Sequence, residues 1–216
     1  YIMTKNLPSK SEFLGNERIN KLLFRLSLPS IFAMAIMALY NIVDTLFIGR
    51  GVGVDGLAAV TITFPLYMII MAFSLLVGVG CASIISRRLG EKKISEVVKV
   101  IWTAITLSFI IGIILSFFGL FFLNDILILL GASHQVLPLA LEYMRILFFG
   151  TIISMFVMLG NNIVRSQGKA TIAMFSMVLG AVLNVFMDYI FIFKLSLGMS
   201  GAALATVLSQ IASLLF

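Results

Sequence analysis

Runs of about 20 apolar residues recur along this chain, separated by short loops that hold most of its charge, and each run can cross about 30 Å of hydrocarbon as a helix. That spacing is the strongest constraint on the fold. Six spans are read at about 26–48, 57–85, 100–123, 138–162, 171–193 and 199–216. A membrane barrel would need short segments of alternating polarity instead, and the sequence has none. Only 11% of residues are charged and 61% are hydrophobic, against about 25% charged in soluble domains, which excludes a water-soluble globule. The fold class is therefore an all-α polytopic membrane protein. The third span is expected to be followed by a short surface helix in DILILLGAS, before Pro138 opens the fourth. Residues 1–25 are polar and charged, unlike a cleavable signal sequence, and are read as an N-terminal segment ahead of the membrane part, 26–216. The sixth span runs to Phe216 with no exit loop, so the chain is expected to be a fragment.

The basic residues fall on alternate loops. Lys5, Lys10, Arg18, Lys21 and Arg25 precede span 1; Arg87, Arg88, Lys92, Lys93 and Lys99 follow span 2; Arg165 and Lys169 follow span 4. The other loops carry only Arg50 and Lys194. Basic loops favour the cytoplasmic side, which places the N-terminus in the cytoplasm and the protein in the cytoplasmic membrane. The net charge of +6 is thus an orientation signal, and no nucleic-acid partner is expected. One cysteine (Cys81, inside an apolar run) and one histidine (His134, in a loop) support neither a disulfide nor a metal cluster. Gly51-Val-Gly-Val-Asp-Gly56 has the G-x-G-x-x-G spacing but follows a membrane span, so it reads as a turn and not a dinucleotide loop. No nucleophile–base pair is visible either. Neither an enzyme nor a resident cofactor is expected.

Two acids stand deep inside apolar runs: Asp44 in LYNIVDTLFIG and Asp188 in VLNVFMDYIFIF. Each lies 19 residues after one basic residue (Arg25, Lys169) and 6 before the next (Arg50, Lys194), so two different helices carry an acid at one depth. An ionisable group there costs roughly 2.5–3.5 kcal/mol on insertion scales and marks a site of function by default. In span 5, Ser176, Gly180, Asn184 and Asp188 recur every four residues and form a polar stripe on one face. Span 1 repeats the pattern with Tyr40, Asn41 and Asp44, and span 6 brings Thr206, then Gln210 one turn further in. Two carboxyls, an amide, a phenol and a hydroxyl could line one pocket with no basic partner at depth. Such a pair is expected to hold a proton near neutral pH, or to bind a cation in its place.

A plainer reading competes, because polar residues in membrane helices often serve only as interhelical glue worth about 0.6 kcal/mol. That suits Ser176, Thr206 or Gln210 taken singly; it does not require two carboxylates. Gly78 and Gly80 are expected to permit close helix approach, Pro65 to kink a span that stays helical, and Glu142 with Arg145 to form a surface pair. Methionines such as Met34, Met37 and Met177 could adapt to varied ligands but are also ordinary packing.

Leu28-Pro29, YNIVDTLFIGRGVG, LGASHQVLPLALEYMRI, NNIVRSQGKA, LGAVLNVFMDYIFIF and GMSGAALATVLSQ, in this order, resemble the multidrug and toxic compound extrusion (MATE) family. The resemblance covers essentially the whole chain as the first six of twelve helices. It implies a V-shaped exporter of two six-helix lobes, moving cationic or amphipathic drugs against proton or sodium entry. It further implies that Asp44, Asn184, Asp188 and Thr206 form the cation site, that Tyr40, Asn161 and Met177 line the cavity, and that Pro29 is a hinge linked to bending of helix 1. Where many relatives have proline after the helix 5 acid this chain has Tyr189, which removes the proline cause of a kink there. A second lobe, expected as the missing partner, would complete alternating access. Two other readings remain: a lipid-linked sugar flippase of the same superfamily, which would need basic residues in the cavity, and a structural membrane module.

Overall fold

The structure, a computed structural model, describes residues 19–216, with the side chains of residues 19–26, 29 and 30 outside the described set. The chain forms α1 (Ile19–Gly51), α2 (Val54–Gly90), α3 (Ile94–Phe121), α4 (Leu123–Leu129), α5 (Val136–Phe149), α6 (Thr151–Ser166), α7 (Ala170–Asp188) and α8 (Gly198–Leu215). A π-helical segment, Tyr189–Lys194, continues α7. No strand occurs among the described residues. Five helices are long and apolar enough to cross a bilayer, and the bent pair α5–α6 makes a sixth when counted as one broken span. The six expected spans are all present, and α4 is the short helix expected in DILILLGAS. Among the described residues α1 begins at Ile19; residues 1–18 and the side chain of Pro29 lie outside the described residues.

The fourth span is not one straight helix. It breaks at Gly150, where α5 and α6 diverge by 53°. Sharp bends need something to take the carbonyls that the helix ladder strains, and hydroxyls do so here. Ser116 Oγ on α3 donates to Phe148 O (2.6 Å), Thr151 Oγ1 to Leu147 O (3.2 Å) and Ser154 Oγ to Gly150 O (3.3 Å). Pro65, by contrast, lies within a single continuous α2.

The G-x-G-x-x-G stretch is the α1–α2 turn, with Gly53 at φ 98°. Only one of the two expected packing glycines serves that role. A Cβ on Gly78 would fall 2.7 Å from Asn162 Nδ2 on α6, whereas one on Gly80 would meet nothing within 4 Å. Two apolar cores divide the bundle by depth. Ile48, Ile70, Met144, Leu147, Met199 and Ala202 fill the half toward the α1–α2 turn. Val77, Cys81, Ile85, Met155 and Leu159 fill the half toward the α2–α3 loop. At that loop Arg88 pairs with Glu91 (2.7 Å) and Glu96 (2.9 Å), and the bonds from Arg88 and Lys93 hold the Glu91 carboxyl below the usual range.

The expected Glu142–Arg145 pair is replaced by a different contact. Glu142 Oε1 accepts from both the backbone N–H (3.2 Å) and the hydroxyl of Ser200, in the first turn of α8. A carboxylate there satisfies otherwise unpaired N–H groups and complements the helix dipole. Glu142→Gln is expected to cost about 0.3–1 kcal/mol by loss of that charge, read as a lower thermal midpoint of the detergent-solubilised protein; an unchanged midpoint would show the contact to be neutral.

Candidate cation and substrate site

The polar stripe of α7 faces α8 along most of its length. Near the α2–α3 end Ser176 and Ser213 bond each other, with Oγ–Oγ at 2.8 Å and each hydroxyl within 2.8–3.0 Å of the other's carbonyl. A Cβ on Gly180 would lie 3.2 Å from Ser213 Cβ, so the two helices run close. Deeper, Asn184 Nδ2 is 3.5 Å from Thr206 Oγ1, which itself donates to Ala202 O (3.1 Å). The first half of the stripe is thus interhelical glue, and the second half is something else.

Asp188 ends α7 fully buried, at 0% exposure. Asp44 on α1 is its direct electrostatic neighbour, so the two acids that shared a depth in the sequence share a site. Tyr40 (α1), Tyr67 (α2) and Tyr143 (α5) stand within electrostatic reach of the pair. Four buried acceptor oxygens here have no hydrogen-bond donor: Asp44 Oδ1, Asn184 Oδ1 and both oxygens of Asp188. Buried acceptors, and above all buried carboxylates, are costly unless something positive or protic meets them. No Lys or Arg pairs with either acid among the described residues. One shared proton would join the two carboxyls, and a small hard cation would find carboxyl, amide and hydroxyl oxygens. Among the described residues no group of three His, Cys, Asp or Glu side chains is assembled, so a transition-metal centre is not what these oxygens offer.

The remaining expected residues are placed as follows. Tyr40 is within electrostatic reach of both acids, Asn184 stands one turn before Asp188 on α7, and Thr206 meets Asn184. Asn41 is exposed and donates to Met37 O (2.8 Å) instead of facing the pair. Gln210 accepts from Ser154 Oγ (2.6 Å) and joins α8 to α6. Asn161 is buried on α6 and Met177 accepts from Arg165 Nη2 (2.8 Å), both toward the α2–α3 end. Sequence reasoning missed Tyr67 and Tyr143. Tyr67 is a lone phenol in an apolar run, FPLYMII, which was an available signal, whereas Tyr143 lies between Glu142 and Arg145 and had none. Arg165 is in the last turn of α6, half-buried, with Nε shielded and unpartnered.

The turn beyond Asp188 is wound as a π-helix, with Leu195 N–H donating to Ile190 O (2.9 Å). Such segments are rare and concentrate at functional positions. The distortion therefore occurs without the proline that Tyr189 replaces. Phe47 of α1 packs against Tyr189 and Phe193 at centroid separations of 6.5 and 5.4 Å. Gly51 sits so close that a Cβ there would collide with Ile192 Cγ2. This contact holds the end of α1 against the segment that carries Asp188.

Residues 29–190 match the family model described as MatE. The chain is 31% identical over 200 residues to an FAD transporter of Shewanella oneidensis, covering 91% of this chain and 44% of that protein. It is 33% identical over 207 residues to the multidrug export protein MepA of Staphylococcus haemolyticus, covering 94% and 45%. Its fold superposes with TM-score 0.86 and 38% identity on the outward-facing conformation of a multidrug resistance MATE family transporter of the MOP superfamily, covering 91% of this chain and 43% of that one. The chain thus spans less than half the length of these relatives.

Proposed function

This chain belongs to the MatE family, and from that premise we propose that it supplies six helices of a multi-pass exporter in the cytoplasmic membrane. That exporter moves cationic or amphipathic small molecules outward in exchange for H⁺ or Na⁺. The observation that carries the reading is the cluster of four donorless oxygens on Asp44, Asn184 and Asp188. Buried acceptors left without donors are stabilised when a proton or cation is present and costly without one, so occupancy of the site is tied to ion supply. Asp44 and Asp188 take the coupling ion, Asn184 and Thr206 add neutral oxygens, and the three tyrosines stand within electrostatic reach of the pair. Loading and unloading of these acids exchanges the ion for the substrate's positive charge. A second bundle of helices would rock against this one around the site, as alternating access requires. The basic residues on alternate loops support a cytoplasmic N-terminus, with the acid pair then in the outer half of the bilayer.

The test is export by the intact protein in proteoliposomes under imposed gradients. An inward gradient of H⁺ or of Na⁺ should accelerate export of a cationic dye, and collapse of that gradient should return it to the leak rate. Export indifferent to both gradients would contradict the proposal.

A further inference from the structure

We propose that Arg165, with Asn161, forms an anion-recognition site at the α2–α3 end of the bundle, which takes the phosphate or carboxylate of a transported molecule. This rests on the reading of the protein as an exporter and specifies its substrate class. A guanidinium is permanently charged and offers five donors in a planar fork suited to carboxylate or phosphate. Arg165 spends little of that capacity. Its Nη2 donates to the thioether of Met177, a weak neutral acceptor, and its Nε is buried with no partner. None of the ion pairs among the described residues includes it. A guanidinium with a buried, unpartnered nitrogen is costly, which points to an acceptor that completes it. Asn161 lies one turn earlier on α6, at i, i+4, on the same face. It is 9% exposed, and none of the hydrogen bonds among the described residues uses its amide, whereas Asn162 beside it is spent on Met158 O. Fork and amide together match an oxyanion.

The polarity of the bundle interior is then two-ended. Asp44 and Asp188 are at one end, and Met177, against which Arg165 rests, is 11 residues before Asp188 on α7. At 1.5 Å per residue that is about 16 Å along the helix. An amphipathic transported molecule would meet Arg165 with its anionic group, at the end of the bundle opposite the acid pair. An anionic lipid headgroup offers the same chemistry from another source.

Riboflavin and its 5′-phosphate, FMN, differ by one phosphate and report on that group directly. Binding of both is followed by flavin fluorescence with the intact protein in phosphatidylcholine nanodiscs. The wild type should bind FMN more tightly than riboflavin. Arg165→Gln should weaken FMN by about tenfold or more, the loss expected for a charge-assisted hydrogen bond, and leave riboflavin unchanged. Arg165→Lys, which keeps charge without the fork, should fall between. Equal affinity of the wild type for the two flavins, or equal FMN affinity in Arg165→Gln, overturns the proposal. In nanodiscs containing phosphatidylglycerol, retention of that lipid that drops in Arg165→Gln while FMN binding does not would assign the site to lipid and overturn its role toward substrate. Gradient-driven export retained by Asp188→Asn would instead sink the exporter mechanism, with no bearing on the flavin comparison.

Discussion

Asp188→Asn is expected to reduce gradient-driven export to background while leaving the protein as stable as the wild type, or more so. The amide matches the carboxyl in size and keeps one acceptor oxygen. It also brings an N–H₂ donor into a cluster where Asp44 Oδ1 and Asn184 Oδ1 have none. Supplying a missing donor to buried acceptors is favourable by roughly 1–3 kcal/mol. The variant should therefore melt at or above the wild-type temperature in detergent, yet no longer respond to the coupling ion. The glue reading of the polar stripe makes the opposite forecast, a loss of stability with transport retained. Export and thermal midpoint measured together on one preparation separate the two, and wild-type export from Asp188→Asn would remove the acid pair from the mechanism. Asp44→Asn should behave similarly, because the two carboxyls act on one ion.

Gly51→Val is expected to abolish export from a distance. Gly51 lies about two turns from Asp44 on α1, and a side chain there must displace Ile192 of the π-helical segment. Overpacking of this kind costs typically about 1–3 kcal/mol. It is relieved most directly by moving the end of α1 away from the segment that follows Asp188, which parts the acids. Ile192→Ala in the same chain empties the space that the added side chain needs. The double variant should regain export that the single Gly51→Val loses. Persistent loss in the double variant would show that Gly51 matters for the α1–α2 turn alone and not for the spacing of the acids.

The sequence made the spans legible because a bilayer leaves few ways to satisfy a backbone, and a run of about 20 apolar residues is long enough to be unambiguous. Asp44 and Asp188 were legible for the same reason, since charge inside hydrocarbon demands an explanation. The stripe on α7 was legible from its four-residue spacing, but its division into glue at Ser176 and open acceptors at Asn184 and Asp188 depends on which α8 residue lies opposite. What stayed hidden is tertiary. The break at Gly150 requires Ser116 from another helix to accompany it, and no local pattern announces that. Glu142 stood near Arg145 in sequence, yet the first turn of α8 offered a better-placed set of donors. Arg165 is in the last turn of α6, and nothing in its sequence neighbourhood announces its partner. Its contact with Met177 exists only once α6 and α7 are packed side by side. The π-helical turn at Tyr189 likewise had no proline to signal it.

The central claim is that Asp44 and Asp188 hold an exchangeable ion which substrate displaces. It is tested most directly by titrating the purified intact protein with a cationic substrate in weak buffer while recording released protons, and in parallel competing the same substrate against Na⁺. The account predicts either proton release on substrate binding or substrate affinity that falls as Na⁺ rises, with the effect absent from the Asp44→Asn/Asp188→Asn double variant. Substrate binding indifferent to both ions in the wild type, or an ion effect undiminished in the double variant, would contradict it.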